Sequence, residues 1–263
     1  MPIAIRNIVI LCSGLAVATC ACCARAQTFD LAAGWSDVNN PNGPWALYKA
    51  PGVLFDTVQP DWYNNGSNPK QPAWADAPGP DPFPPNPLAP MWAKAVGDVG
   101  TLHDAIYSGF VDVGTVYMHS AEEFRTGTDF SSVVWTSPQA GMIHIGGGVW
   151  MAKAFQDRPH QWELRKNGAV FSDGPLTYGD GYDKSNPFLF ATGSGGASAV
   201  GFAVAPNDQI ELLIYKTGSF FTPGTFVATE LRIQFVPEPN TFILIASAVV
   251  CGLAASFRCR AGG

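Results

Sequence analysis

The sequence has no cysteine between residues 27 and 236. All six cysteines lie in the two apolar ends of the chain, namely Cys12, Cys20, Cys22, Cys23, Cys251 and Cys259. The 210 residues between these ends therefore form no disulfide, and their folded state must depend on a hydrophobic core alone. A segment of this length is sufficient for one large domain.

Motifs for catalysis and metal binding are also lacking. The sequence contains no Gly-x-Ser-x-Gly, no His-x-His and no His-Glu-x-x-His, and its four histidines are isolated: His103, His119, His144 and His160. Gly146-Gly147-Gly148 lies inside a strand pattern with no following helix, which excludes a phosphate loop. Glycoside hydrolysis needs two carboxylates roughly 5 to 10 Å apart. The candidates are Glu122, Glu123, Glu163, Glu211 and Glu230, for which solvated surface charge is the default interpretation.

Basic residues are scarce in the central segment. Outside the two ends, the 15 basic and 21 acidic residues of the chain become 11 and 20, a net charge of −9. An acidic surface with scattered lysines argues against nucleic acid and anionic membranes as partners.

Short apolar and β-branched runs follow one another from about residue 112 onward. Asn167-Gly168 between two such runs indicates a β-hairpin, and Pro206-Asn207-Asp208 indicates a tight turn. The spacing predicts an all-β fold, an antiparallel β-sandwich or jelly roll. The predicted strands are Val113–His119, Ser132–Thr136, Met142–Trp150, Gln161–Lys166, Ala169–Phe171, Pro187–Ala191, Ala199–Ala205, Gln209–Lys216 and Phe226–Phe235.

The segment from Gln27 to Pro90 is rich in proline, asparagine, glycine and tryptophan. Its four tryptophans, with Trp92 just beyond it, are too many for a disordered linker, so we expect short strands and long ordered loops that pack on the domain. Strands are predicted at Phe29–Ser36 and Trp45–Tyr48, and an exposed polyproline-like loop at Pro78–Pro90.

One loop in the second half has the composition of a ligand site. Asp173, Asp180 and Asp183 stand among glycines, as in the oxygen-rich loops that calcium prefers, although the spacing is not that of an EF-hand. Tyr178 and Tyr182 lie beside them, and with Trp150 and Trp162 they could form an aromatic platform for sugar rings. The alternatives are a metal-free turn and ordinary core packing.

The N-terminus has the pattern of a secretory signal peptide that forms a short helix. Arg6 precedes an apolar core from Ile8 to Cys20, and Ala24-Arg25-Ala26 is a cleavage site for signal peptidase. Residues 1–26 are therefore predicted to be removed, so that the mature chain starts near Gln27. A lipoprotein signal at Cys20, Cys22 or Cys23 is the alternative, but Val17-Ala18-Thr19 matches it poorly.

The C-terminus carries three elements in a fixed order. Val236-Pro237-Glu238-Pro239 ends the preceding strand, because proline cannot donate a ladder hydrogen bond. Thr241–Phe257 is an apolar run of 17 residues, which as a helix spans about 26 Å, close to the roughly 30 Å of a hydrocarbon core. Arg258 and Arg260 then favour a cytoplasmic end. These elements predict a transmembrane helix within residues 237–260.

This order resembles the PEP-CTERM sorting signal of Gram-negative bacteria. The resemblance implies that Pro237, Glu238, Pro239, Arg258 and Arg260 form a sorting segment, and that an exosortase-type membrane protease is a partner. It also implies an inner-membrane-anchored intermediate and a final location at the cell surface or in the extracellular matrix. A plain tail anchor is the alternative.

The body, residues 27–236, resembles the β-sandwich modules of exported bacterial proteins, many of them carbohydrate-binding-like. The resemblance rests on Trp135–Gly141, Asn167-Gly168, Pro206–Asp208 and Leu231–Ile233. The resemblance supports the fold more than any ligand. Because no motif in the body points to catalysis, the leading hypothesis is a non-catalytic envelope or matrix protein with a polysaccharide ligand or a structural role, no cofactor beyond a structural calcium, and no catalytic residues. The alternative is a polysaccharide hydrolase or lyase on a jelly-roll scaffold.

Overall fold

The structure, a computed structural model, describes residues 26–62, 71–75, 90–96, 111–120, 131–152, 158–218 and 224–238. Within these ranges, two 3₁₀ turns span Phe190–Thr192 and Ala197–Val200, and no helix is long and apolar enough to cross a bilayer. The strands are β1 (Gln27–Asp30), β2 (Trp45–Ala50), β3 (Val53–Leu54), β4 (Val58–Trp62), β5 (Gln71–Ala75), β6 (Met91–Lys94), β7 (Val116–His119), β8 (Ser131–Thr136), β9 (Gly141–Met151), β10 (His160–Lys166), β11 (Ala169–Leu176), β12 (Phe188–Leu189), β13 (Gly201–Val204), β14 (Gln209–Lys216) and β15 (Phe226–Pro237).

The described strands form two antiparallel sheets. The large sheet has the order β12-β9-β15-β7-β6-β5-β4, with β1 also paired to β15 and β13 to β9. The small sheet has the order β11-β10-β14-β8-β2-β3. The prediction of an all-β fold with antiparallel pairing is confirmed.

The two sheets share one hydrophobic core. Alternate residues of each strand point into it, such as Ile145 and Ile233 from the large sheet and Trp135, Trp162 and Leu212 from the small sheet. Because one cluster takes buried side chains from both sheets, the arrangement is consistent with a β-sandwich.

The hairpin turn predicted at Asn167-Gly168 is present in the structure. Asn167 and Gly168 have φ values of 50° and 83° and join β10 to β11, as a two-residue hairpin turn requires. The predicted alternation in β9 is also confirmed, since Ile143 and Ile145 are buried whereas Met142 and His144 are exposed.

The first half departs from the prediction at its start. The chain leaves the strand after Asp30, whose carbonyl oxygen accepts a hydrogen bond from Gly34 N at 2.8 Å and whose carboxylate accepts one from Ala33 N at 2.9 Å. The prediction of a strand continuing to Ser36 is therefore wrong. The predicted loop before Pro90, the signal helix and the C-terminal helix lie outside the described residues.

The outer face of the large sheet divides into two halves. On β15 the outward residues Phe226 and Ala228 are buried, whereas Glu230, Arg232 and Gln234 are exposed. A second apolar cluster occupies the buried half, with side chains such as Trp62, Met91, Tyr117, Trp150 and Phe226. The strands of this half are therefore apolar on both faces, which explains why β5 to β7 show little alternation of polar and apolar residues.

A loop of residues 31–44 connects β1 to β2 and is fixed by Asn40. The Asn40 side chain accepts a hydrogen bond from Leu47 N and donates to Leu47 O and Phe55 O, each at 2.8 Å. One carboxamide thus pairs with both backbone groups of Leu47, as a neighbouring strand would. The loop consequently attaches to β2 without being a strand.

Gly147 on β9 provides a test of the contact between β9 and β15. Its φ is +100°, and a Cβ atom there would lie 1.9 Å from the carbonyl oxygen of Glu230. We expect Gly147→Ala to lower the free energy of unfolding by more than about 3 kcal/mol, because both the backbone conformation and the space exclude a side chain. Gly146→Ala, where a Cβ meets nothing within 4 Å, should change it by less than about 0.5 kcal/mol. Equal effects in urea denaturation would contradict the described packing.

Asn40 provides a second test. Asn40→Ala removes the side-chain partner of Leu47 N and Phe55 O, whereas Leu47 O keeps its bond from Phe55 N, so we expect a loss of about 2 kcal/mol in unfolding free energy. Asn39→Ala, which removes an exposed amide that bonds to no described residue, should cost less than about 0.5 kcal/mol. Similar stability of the two variants in urea denaturation would show that Asn40 does not anchor the loop.

Candidate functional site

The predicted sorting segment begins where the last strand ends. β15 continues two residues beyond the predicted Phe235 and finishes at Pro237, and Glu238 after it is exposed. Pro239, Arg258, Arg260 and Ala24 lie outside the described residues. Ala26, the last residue of the predicted leader, is exposed and stands directly before β1.

The three aspartates of the predicted calcium loop do not converge on one point. The Asp173 carboxylate accepts hydrogen bonds from Gln161 at 2.7 Å and from the Ser194 hydroxyl. Asp180 instead accepts from the backbone nitrogens of Thr177 and Tyr182, at 2.7 and 2.9 Å.

Asp183 forms a turn separate from that of Asp180. It accepts hydrogen bonds from Ser185 and from Asn186 N, and these bonds, with Ser185 the largest contributor, hold its pKa below the usual range. Asp180 and Asp183 thus satisfy local donors, as in ordinary Asx turns, whereas Asp173 accepts from side chains of two other segments. In the part of the chain that the structure describes, no group of three or more His, Cys, Asp or Glu side chains could hold a metal ion.

The prediction that Trp150 and Trp162 contribute to an aromatic platform for sugar rings is wrong. Trp150 and Trp162 are only 1% and 0% exposed, and Trp162 packs edge-on against Phe188 and Phe190. Tyr182 stacks on Phe188, with ring centroids 4.3 Å apart, whereas Tyr178 is 38% exposed. Core packing therefore explains the tryptophans, and only the tyrosines remain near the surface.

Two carboxylates do meet on the outer face of the small sheet. Glu163 of β10 lies directly opposite Asp173 of β11 in the strand register. Both Glu163 oxygens are occupied, one by the Tyr215 hydroxyl at 2.7 Å and the other by Arg165 at 2.6 to 2.7 Å. Burial, followed by the bond to Glu163, raises the pKa of Tyr215 to about 12, so the phenol remains a donor.

The partners of Glu163 are the guanidinium of Arg165 and the hydroxyl of Tyr215, whereas the general acid of a glycosidase lies in an apolar or like-charged setting. Of the other glutamates considered, Glu211 lies 4.0 Å from Arg165 and Glu230 lies 3.3 Å from Arg232, while Glu122 and Glu123 are outside the described residues.

A buried serine and histidine pair joins the two sheets, which the sequence did not indicate. His160 Nδ1 lies 2.9 Å from Arg158 O, and since a carbonyl oxygen can only accept, Nδ1 carries the proton. His160 Nε2 then accepts from the Ser120 hydroxyl at 2.8 Å. Thr225 N donates to the same hydroxyl oxygen at 3.1 Å. Ser120 follows β7 and Thr225 precedes β15 in the large sheet, whereas His160 begins β10 in the small sheet.

The hydrogen bond between Ser120 and His160 has the geometry of an activated nucleophile, but both side chains are buried. Ser120 and His160 are 0% and 1% exposed, so a substrate carbonyl has no approach to the serine oxygen. Burial lowers the pKa of His160 to about 4, against the smaller raising effect of its bond to Arg158 O. The pair is therefore a neutral connection between the sheets. No sequence signal identified it, because Ser120 and His160 are 40 residues apart.

His144 is exposed on β9, His119 is buried beside Ser120, and His103 lies outside the described residues. The histidines therefore do not form a metal site within the described ranges. Comparison of the chain with protein-family models and with curated proteins gave no match.

The buried His160 predicts an acid-sensitive stability. Its pKa is about 4 when folded and 6.5 when unfolded, so the unfolded chain binds more protons between these values and stability falls as the pH falls through that window. We expect a loss of about 3 kcal/mol between pH 7 and pH 4, measured by urea denaturation. His160→Gln should remove most of this dependence, and His144→Gln should retain it. An unchanged slope in His160→Gln would contradict this assignment.

Proposed function

We propose that this chain is an exported protein of the Gram-negative envelope or extracellular matrix, and that a PEP-CTERM signal sorts it. In this proposal signal peptidase removes residues 1–26, and the apolar segment within residues 237–260 then holds the protein in the inner membrane. An exosortase-type protease recognises Pro237-Glu238-Pro239 and releases or transfers the body.

The position of the last strand carries this proposal. β15 is paired in the large sheet and ends at Pro237, so the predicted recognition peptide follows the folded body directly. Proteases bind extended, solvent-exposed peptides, and Glu238 is exposed just beyond the strand. The body also contains no cysteine, so no disulfide has to form before the protease acts on it.

For the body we propose a non-catalytic role, as a carbohydrate-binding or structural sandwich. The hydrogen-bonded Glu163 and Asp173 and the inaccessible Ser120 favour binding over catalysis. The alternative, a polysaccharide hydrolase or lyase on a jelly-roll scaffold, requires that reducing or unsaturated sugar ends appear when the purified protein is incubated with polysaccharides. Loss of that release in Glu163→Gln would establish the alternative.

Mass spectrometry of the protein from its native cell tests the sorting proposal. We expect an N-terminus at Gln27 and a C-terminus near Pro237, without the apolar segment. Replacing Pro237, Glu238 and Pro239 by alanine should leave the tail attached and the protein in the inner membrane. Gln234→Ala, an exposed position on the same strand, is the matched control and should be processed normally. An intact C-terminus on the surface protein, or unchanged processing of the triple variant, would contradict the proposal.

A further inference from the structure

Three tight turns at one end of the two sheets are joined to one another. They connect β8 to β9, β10 to β11 and β13 to β14, and span residues 137–140, 167–168 and 205–208. Ser137 N donates to Asp208 O at 2.8 Å, and Asn207 N donates to Ser137 O at 2.9 Å. The Asn167 side chain donates to Asp208 and accepts from Gln209 N, each at 2.8 Å. The three turns therefore form one ordered surface, which we call the turn end.

The last strand of the body also ends at the turn end. Phe226 O accepts a hydrogen bond from Ala152 N at 2.9 Å, and Gly148 O accepts one from the Thr229 hydroxyl at 3.0 Å. β15 therefore runs from the end of its neighbour β9 towards the start of β9. Because β9 starts directly after the first of the three turns, the chain leaves the body beside the turn end.

Chain length limits how far the turn end lies from the membrane in the anchored intermediate. Pro237 ends β15, and the apolar run begins at Thr241, four residues further along the chain. Four residues span at most about 14 Å when they are fully extended. The end of β15 is therefore held within about that distance of the point at which the apolar run enters the bilayer.

The turn end exposes apolar side chains. Met142 at the start of β9 is 51% exposed, and Val170 at the start of β11 is 50% exposed. Ala203 lies between them, because it pairs with Met142 in the strand register and its carbonyl oxygen accepts from Lys166 at 2.9 Å. Lys166 in turn pairs with Ala169, the neighbour of Val170. Further exposed apolar residues of this surface are Pro138, Ala205 and Pro206.

The charges of the turn end cancel. Within residues 137–142, 166–170 and 203–209, the charged side chains are Lys166 and Asp208, which form an ion pair at 2.9 Å. Residues 27–236 as a whole carry a net charge of −9. An anionic lipid surface therefore repels the body elsewhere but has no net electrostatic effect on this end.

We infer that the turn end contacts the lipid headgroup region of the membrane while the tail is attached, with Met142 and Val170 inserted among the headgroups. Exposed apolar side chains gain free energy on entering this region, and a short tether makes even a weak contact effective. The contact holds the exit of β15 against the membrane in which the proposed protease resides. The inference rests on the proposed anchoring by the tail and adds to it a surface of the body.

Quenching of a fluorescent label by lipid tests the contact on the full chain. All six native cysteines are replaced by alanine, a single cysteine is introduced by Met142→Cys or Val170→Cys, and an NBD fluorophore is attached to it. The protein is reconstituted from detergent into phosphatidylcholine vesicles in which part of the lipid carries a nitroxide near its headgroup. We expect both labels to be quenched at least about threefold more strongly than a label at a control position.

Tyr178→Cys is the matched control. Tyr178 is 38% exposed and follows β11 at the end opposite to Val170. Equal quenching at the three positions, or none at Met142→Cys and Val170→Cys, would overturn the inference. Added phosphatidylglycerol should leave the quenching unchanged, and quenching that appears only with this anionic lipid would contradict an uncharged contact.

Flotation of the same vesicles separates this inference from the sorting proposal. If the protein does not float with the vesicles, the tail does not anchor it, and the sorting proposal fails together with the inference. If the protein floats and its labels are not quenched, the inference alone fails. Shielding of the labels from dithionite that depends on protein concentration and not on lipid would assign the turn end to a second copy of the chain, against the inferred lipid contact.

Discussion

Packing of aromatic rings between the two sheets is the constraint on which the rest of the fold depends. Trp135 of the small sheet lies 5.4 Å from Phe29 and 6.1 Å from Phe235, ring centroid to ring centroid, and these two residues belong to β1 and β15 of the large sheet. With no cysteine in residues 27–236, no covalent bond supplements this packing. Aromatic pairs contribute about 0.5–1.5 kcal/mol each beyond the burial of their area. The first and last strands of the body are thus fixed on the same small-sheet tryptophan.

Buried polar groups set the geometry at the ends of the strands, where the core alone does not. The Asn40 carboxamide substitutes for a strand beside Leu47, and the Ser120 and His160 side chains connect β7 to β10. An unsatisfied buried group costs about 1–3 kcal/mol, so each pair is stable only when both partners are in place. Such contacts specify one arrangement of the loops, whereas apolar contacts tolerate several.

The sequence predicted those parts of the fold in which local chemistry decides the structure. Asn167-Gly168 predicted a tight hairpin turn, and both residues have the positive φ that such a turn needs. The predicted strand Gln209–Lys216 has the same first and last residues as β14, because turn residues limit the segment. Prediction failed where distant residues decide. Trp162 suggested a sugar platform, yet β12 and the following 3₁₀ turn cover it with Phe188 and Phe190. The carboxamide of Asn40 and the hydroxyl of Ser120 gave no signal, because their partners lie in other segments of the chain.

The topology bears on the proposed removal of both ends of the chain. β1 and β15 are neighbours in the large sheet, and β15 also lies between β9 and β7. Cleavage before Gln27 and after Pro237 therefore leaves every described strand of this sheet complete, since no residue outside these limits belongs to a described strand. The Phe29 and Phe235 contacts with Trp135 also lie within these limits. In the sorting proposal, removal of both ends therefore leaves the described pairing of β1 with β15 intact.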